Sequence, residues 1–172
     1  FSGDKMIGTL TDEEARMVNI LKGNFEHGFY VITDPLVPEK FVNLTMRLNG
    51  KPHIKVKQVD GQVHIKAEVN VETEITAIPS GTNYEQDEYR RLLEAHINQL
   101  LQAQILKMLY KTQAWGCDVV GFGVRMRPFF ATHQEFMQLD WPVMYRQAEF
   151  DITVNTIVRR TGLMQQTVGM ID

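Results

Sequence analysis

Strict alternation of apolar and polar side chains over residues 41–78 is the feature that most limits how this chain can fold. Three stretches, FVNLTMRLNG, HIKVKQV and QVHIKAEVNVETEITAI, each place every second side chain on one apolar face. Side chains of a strand alternate between two faces, so this period predicts strands with one face in the core and one in water. The region therefore predicts an antiparallel sheet with one wet face.

Two glycine-containing turns set the register that we expect for this sheet. A two-residue turn at Asp60-Gly61 places Ile54 opposite Ala67, which pairs apolar with apolar side chains. A three-residue loop at Asn49-Gly50-Lys51 places Met46 opposite Ile54 in the same way. The sequence thus predicts a meander with a bulged first hairpin and a tight second one.

A long helix is predicted over residues 84–115, directly after the sheet. Its acidic start suits the positive end of the helix dipole. An apolar stripe at helical spacing comprises Leu93, Ile97, Leu100, Leu101, Ile105, Met108 and Leu109. At 1.5 Å per residue the helix would extend roughly 45 Å, enough to cross the whole sheet on one face.

The C-terminal part of the chain is expected to return to the sheet. Residues 118–139 form a second helical region interrupted at Pro128, and Asp140-Trp141-Pro142 forms a loop. The stretch AEFDITVNTIVRR again alternates with period two and predicts a closing strand. The fold class is therefore α+β: an antiparallel sheet, made of a meander and a C-terminal return strand, with a long helix packed on one face.

The N-terminal part is expected to form a small strand–helix–strand unit. KMIGTL and GFYVIT are its strands. Thr11 and Glu14 have the spacing of a capping box at the start of the helix, and Gly23 is a natural stop. We expect one domain over residues 1–172, with this unit at 1–33, the main sheet and helices at 34–162 and a tail at 163–172.

Composition excludes several classes of protein. The chain has 172 residues, of which 44% are hydrophobic and 23% are charged, as in ordinary globular proteins. The net charge of −3 and the absence of Lys/Arg runs disfavour nucleic acid as a partner. The only cysteine, Cys117, can form neither an intrachain disulfide nor a zinc site, and its apolar neighbours predict a buried thiol.

The stretch Gly121-Phe122-Gly123 invites a comparison with nucleotide-binding loops. A dinucleotide fingerprint needs a third glycine and a preceding strand, whereas Met126 occupies the third position and a helix precedes it. A P-loop needs Gly-Lys-Ser/Thr, which the chain lacks. We therefore expect Asp118 to cap a short helix, whose two glycines pack closely against a neighbour.

Other candidate sites are equally sparse, and we predict no catalytic residue, no cofactor site and no metal site. The five histidines have no metal-ligand spacing. His53 and His64 lie on the wet face of adjacent strands, where we expect solvated surface rather than a metal pair. Glu72 and Glu74 point to one side of a strand about 7 Å apart, a separation that glycosidases use. We expect these two carboxylates to form a solvated, solubilising face.

Arg159 and Arg160 end the closing strand and point to opposite faces because they are adjacent. Two interpretations stand for this pair. One is a structural ion pair to the acidic face of the neighbouring strand, and the other is a contact with a partner protein.

The order of these pieces resembles one protein family, the C-terminal domain of the Ger(x)C proteins, which are the C subunits of GerA-type spore germinant receptors. Three landmarks carry the resemblance. They are the opening Phe1, Gly3, Asp4, Lys5, Met6, Gly8 and Leu10, the later Gly116, Asp118, Val119, Gly121, Phe122 and Gly123, and the closing Arg159 to Gly162.

The resemblance implies a function as well as a fold. It implies a fragment of a longer lipoprotein, anchored by lipid at the outer face of the spore inner membrane. It implies two integral-membrane partners, the A and B subunits of the receptor, and no enzymatic activity. The expected function is a scaffold or signalling module for germination, and the alternative is a domain that binds a small nutrient in a pocket beside the long helix.

Overall fold

The structure, a computed structural model, describes residues 6–159, which form five strands and four α-helices in an α+β arrangement. Their order is α1 (Asp12–Lys22), β1 (Gly28–Thr33), β2 (Phe41–Leu48), β3 (His53–Val59), β4 (Gln62–Ala77), α2 (Asp87–Ala114), a 3-10 helix (Phe122–Phe129), α3 (His133–Met137), α4 (Trp141–Arg146) and β5 (Glu149–Arg159). The predicted fold class, a sheet with a long helix on one face, is confirmed.

Strand β4 forms the centre of the sheet. β2 and β3 lie end to end along one edge of β4, both antiparallel to it, and β1 extends the sheet beyond β2. β5 pairs along the other edge of β4. At 16 residues, β4 is long enough to carry two partner strands on a single edge.

The tight hairpin between β3 and β4 is confirmed. Asp60 and Gly61 both have positive φ, 50° and 84°, as a two-residue hairpin turn requires. Ile54 faces Ala67, and Val59 faces Gln62 as the turn dictates. An Asp-Gly pair between alternating strands therefore fixed this register.

The predicted hairpin between β2 and β3 is wrong. Met46 faces Thr73 of β4 instead of Ile54 of β3. β2 and β3 together form one nearly continuous strand along β4, interrupted by the four residues 49–52, which lie opposite residues 69 and 70. Within this interruption the Asn49 amide donates to the Asn70 carbonyl at 2.8 Å. Asn-Gly permits a chain reversal but does not impose one, and a four-residue bulge can use the positive φ of Gly50 equally well.

The closing strand has the opposite direction to the one we expected from an antiparallel sheet. β5 runs parallel to β4, from His64 opposite Glu149 to Glu74 opposite Arg159. The long helix brings the chain back to the end of the sheet where β4 begins, and a strand that follows such a crossover runs parallel. The sheet is therefore mixed.

Helix α2 covers the inner face of the sheet and confirms the predicted stripe in all but one position. Its buried residues are Leu93, Ile97, Leu101, Ile105, Met108, Leu109 and Thr112, whereas Leu100 is only half-buried. Helix α1 packs on α2 through an ion pair of 2.6 Å between Lys111 and Glu14. The helices of residues 6–159 thus lie on one side, and no element in this range covers the outer face of the sheet.

The N-terminal unit is confirmed in its helix and wrong in its first strand. Thr11 and Glu14 form both hydrogen bonds of the capping box, and Gly23 ends α1 in the left-handed conformation. Residues 6–10 are irregular. Gly8 packs so closely on the indole of Trp115 that a Cβ would have no room, so this segment is held by the end of α2 rather than by the sheet.

Two details of the region after α2 also differ from expectation. Pro128 does not interrupt a helix but lies inside the 3-10 helix. Trp141-Pro142 does not form a loop but begins α4, with Asp140 as its N-cap. Proline is tolerated in the first turn of a helix because the amide that it lacks has no partner there.

One buried carboxylate ties the loops at the far end of the sheet together. Asp34 is fully buried and accepts hydrogen bonds from the Tyr84 hydroxyl at 2.5 Å and the Ser80 hydroxyl at 2.6 Å. The amides of Leu36 and Val37 donate to the same carboxylate. Burial alone would raise the pKa of Asp34, but these hydrogen bonds outweigh it and lower the pKa below 3.8.

We predict that Asp34→Ala lowers the free energy of unfolding by about 3 kcal/mol, because it leaves buried donors without a partner. Since the pKa of Asp34 is lower in the folded chain, its contribution is complete above pH 3.8 and disappears as the pH falls through the folded pKa. Urea unfolding across pH 2 to 7 would measure both effects. The exposed Asp151→Ala is the control and should cost less than about 1 kcal/mol. Equal losses in the two variants would contradict the prediction.

Candidate functional site

The glycine stretch that follows α2 is organised by one carboxylate. Asp118 accepts hydrogen bonds from the amides of Gly121 and Gly123, both at 2.8 Å, and from the indole Nε1 of Trp141 at 2.9 Å. Gly123 lies in the first turn of the 3-10 helix, so Asp118 does supply an acceptor at the start of this helix, as predicted, although the N-cap residue itself is Gly121. The indole bond was not foreseen because Trp141 lies 23 residues further along the chain.

The two glycines serve different purposes. Gly121 has a φ of 89°, and the space where a Cβ would stand is open. Gly123 lies against Trp141, where a Cβ would stand 2.8 Å from the indole nitrogen. Gly121 is therefore required for its backbone conformation, and Gly123 for close packing. The predicted close packing of both glycines is confirmed for Gly123 and is wrong for Gly121.

A groove opens beside this loop, at the C-terminal end of α2. Its volume is about 480 Å³, and it is open to solvent. It is lined by Gly116, Cys117, Asp118, Gly121, Gly123, Val124, Phe136, Met137, Leu139, Trp141 and Pro142. The lining is mostly apolar, and its one carboxylate is engaged by three donors. Cys117 is half-buried in this wall, so the expected fully buried thiol is wrong.

The floor of the groove is anchored in the core. The ring of the fully buried Tyr145 lies against Phe122 and Trp141, with centroids 6.4 and 6.1 Å away, and its hydroxyl meets that of Thr112 at 3.0 Å. Burial raises the pKa of Tyr145, so its phenol stays neutral. The Gln113 amide donates to the Tyr145 carbonyl at 3.1 Å and ties α4 to α2. The groove is thus preformed.

The second candidate region is on the outer face of the sheet, where Glu72 binds two arginines. Its carboxylate accepts from Arg159 at 2.5 Å and from Arg47 at 2.6 Å. Both hydrogen bonds lower the pKa of Glu72, and the bond from Arg159 has the larger effect. Glu72 does lie on the outer face but is buried beneath the two guanidinium groups, whereas Glu74 is exposed, so the expected solvated pair is wrong for Glu72.

Arg159 therefore forms an ion pair with the neighbouring strand, as the first of the two interpretations of this residue predicts. Whether Arg159 also contacts a partner stays a prediction, and Arg160 lies outside the described residues. His53 faces Glu68 and His64 faces Lys57, so the two histidines do not meet. Within residues 6–159, no three side chains of the metal-binding types come together.

An apolar area adjoins this charged region on the outer face, and we call it the β1 patch. It consists of Phe29, Val31 and Phe41, which are 74%, 66% and 55% exposed. The pairing of β1 with β2 puts all three on the same face, because Phe41 is opposite Thr33 and Phe29 is opposite Thr45. Clustered exposed apolar side chains commonly mark an interaction surface.

The fold matches a solved structure, the crystal structure of the GerBC protein, with a TM-score of 0.74 at 16% sequence identity. The match covers 92% of this chain and 49% of the GerBC chain, so this chain spans about half the length of that protein. The family model "Spore germination B3/ GerAC like, C-terminal" matches residues 1–162. The chain belongs to this spore-germination family.

Membership in the spore-germination family confirms the resemblance drawn from the three sequence landmarks. A search of curated proteins gives no significant match. None of the helices described in residues 6–159 has the length and apolar character that a bilayer span requires.

We predict that Gly123→Ala destabilises the chain by about 1–3 kcal/mol and displaces Trp141, because the added methyl overpacks the indole. Gly121→Ala is the matched control: it should cost about 1–2 kcal/mol through backbone strain and leave the indole in place. Urea unfolding and the emission maximum of the folded protein would separate the two effects. An unchanged tryptophan spectrum in Gly123→Ala would contradict the proposed contact.

Proposed function

We propose that this domain is a non-enzymatic scaffold and signalling module of a spore germinant receptor. The observation that carries the proposal is the match to the spore-germination family over residues 1–162. The parent protein would be a lipid-anchored C subunit at the outer face of the spore inner membrane. Its partners would be the two integral-membrane subunits, A and B, of the receptor.

The distribution of surface chemistry supports a role in protein contacts. The interior between sheet and helices is filled by apolar side chains, and the polar groups near the groove are engaged with one another. The exposed features are the β1 patch and the neighbouring arginines. Aromatic and arginine side chains are enriched among the residues that dominate protein interfaces.

The rival proposal is a domain that captures a small nutrient. The groove next to α2 is its natural site, and its volume of about 480 Å³ suits a small molecule. Ligand sites, however, bury most of the ligand surface and offer polar groups to orient it. The open groove with an already engaged Asp118 favours the scaffold.

The β1 patch provides the first test of the scaffold proposal. We predict that the double variant Phe29→Asp/Val31→Asp loses most of the A and B subunits when full-length tagged protein is purified from detergent-solubilised spore membranes. Val59→Asp is the control, because Val59 is also exposed but lies at the tip of the β3–β4 hairpin. Equal recovery of both subunits with all variants would remove the patch from the proposal. Failure of the unaltered protein to recover either subunit would overturn the receptor function itself.

Arg159 and Arg47 allow a partner contact to be separated from a structural ion pair. Arg159→Gln and Arg47→Gln each remove one guanidinium from Glu72, so a purely structural role affects both variants alike. We predict that Arg159→Gln reduces recovery of the membrane subunits several-fold more than Arg47→Gln does. Equal effects would assign Arg159 to the ion pair alone, and Arg160 would be tested in the same assay.

A further inference from the structure

Strand β1 lies at one margin of the sheet, and within the described part of the chain it has a partner strand along only one edge. The Asp34 amide donates to the Lys40 carbonyl at 3.0 Å and so continues the ladder between β1 and β2 by one residue. In an antiparallel ladder the N–H and C=O of one residue point to the same edge, and this direction alternates along the strand. Phe29, Val31 and Thr33 therefore direct their backbone groups away from β2.

Among the described residues, one side chain reaches this free edge. Arg16 of α1 donates to the Phe29 carbonyl at 3.4 Å, a long and exposed bond that agrees with the outward direction of this carbonyl. Between residues 6 and 159, no group bonds the backbone of Val31 or Thr33 on this edge. The edge thus presents donors and acceptors that a further strand could satisfy.

The opposite margin of the sheet, along β5, is covered by side chains of α2. Gln102 donates to the Ile152 carbonyl at 2.8 Å, and Glu94 accepts from the Val158 amide at 3.0 Å. Proteins protect sheet edges with covering elements of this kind, with charged side chains or with proline. The sequence of β1, GFYVIT, contains no charged residue and no proline. β1 is therefore an apolar and unprotected edge strand.

We propose that β1 pairs antiparallel with β1 of a second copy of this chain, so that the two sheets join across a two-fold axis. An antiparallel strand matches donors with acceptors when it pairs with its own copy. The composition of β1 favours this occupant, because a strand without charged side chains places no like charges opposite each other across the axis. The proposal goes beyond the scaffold function and does not depend on it.

The same pairing joins the β1 patches of the two copies. When Val31 lies opposite Val31 of the second copy, the backbone groups of Phe29, Val31 and Thr33 all find partners. Phe29 and Val31 point to the outer face and are 74% and 66% exposed, so the Phe29 ring can reach Val31 of the second copy diagonally. Pairs of aromatic and β-branched side chains on adjacent strands stabilise sheets. The apolar surfaces of the two copies thus complement each other.

The dimer should be weak, because one pair of short strands forms a small interface and stable complexes bury more than about 1,000 Å². Sedimentation equilibrium of the full chain from micromolar to millimolar concentration measures it, and amide hydrogen exchange followed by NMR measures the strand pairing. In the monomer the amides of Phe29, Val31 and Thr33 should exchange faster than those of Tyr30 and Ile32, which face β2. We expect these three amides to become protected as the dimer forms.

The decisive variant is Val31→Pro, which keeps an apolar side chain and removes the amide that the second copy would bind. Proline is tolerated on an edge strand where the lost N–H faces solvent, so the variant should fold and should weaken dimerisation at least ten-fold. Val31→Lys should weaken it as well, because it places two ammonium groups opposite each other. Gln58→Pro is the matched control: Val59 and Gln62 bond each other across the turn, so the Gln58 amide faces the free edge of β3. This control should leave the dimer unchanged.

A chain that stays monomeric at every concentration would overturn the proposal. A dimer that persists in both Val31 variants would overturn it too, because that dimer uses another surface. Loss of the dimer in Val31→Lys but not in Val31→Pro would assign the contact to apolar packing of the β1 patches instead of strand pairing. Circular dichroism verifies folding, and amide protection in the unaltered chain decides the pairing even where the proline variant does not fold. None of these outcomes alters recovery of the A and B subunits by the unaltered protein, on which the proposed function depends.

Discussion

The structure depends on the burial of one face of β4 beneath helix α2. The odd-numbered side chains of β4 from Val63 to Ile75 all point inward and are buried, and the stripe of α2 lies over this side of the sheet. Burial of each valine or isoleucine in this layer contributes about 1.5–3 kcal/mol, so the layer as a whole outweighs any single polar contact in the chain. Because β4 is paired along both edges, its long register also fixes where β2, β3 and β5 can lie.

Within residues 6–159, two surfaces outside the core between sheet and helices are candidates for function, and they differ in character. The outer face of the sheet combines the β1 patch with ion pairs whose partners are already matched, such as Lys66 with Asp151 at 2.8 Å. The groove at the end of α2 combines a mostly apolar lining with one carboxylate, that of Asp118, which three donors engage. The scaffold that we propose would contact two membrane partners, and these two surfaces are the candidates for those contacts.

The hydrogen bonds of Asp118 explain why the groove is preformed. A carboxylate that accepts two amides and an indole N–H fixes a loop, a 3-10 helix and α4 relative to one another. Tyr145 then joins this assembly to α2 through Thr112. The two glycines that invite comparison with nucleotide-binding loops have structural roles here: Gly121 for its backbone conformation and Gly123 for its close contact with Trp141.

The sequence by itself determined the elements whose signal is local. Alternation predicted the strands, and the stripe from Leu93 to Leu109 predicted α2. Asp60-Gly61 predicted a turn, and Thr11 and Asp118 predicted side-chain acceptors at the starts of two helices. Each of these features depends on neighbours only a few residues away. Only the tertiary structure decided which strands pair. Asn49-Gly50 is compatible with both a hairpin and a bulge, and only the tertiary structure shows that β2 pairs with the far half of β4, where Leu44 faces Ile75 and Leu48 faces Val71. The tertiary structure likewise decided the direction of β5, the burial of Glu72 under two arginines and the bond between Trp141 and Asp118. Each of these depends on contacts between residues 23 to 87 positions apart, which no local sequence pattern predicts.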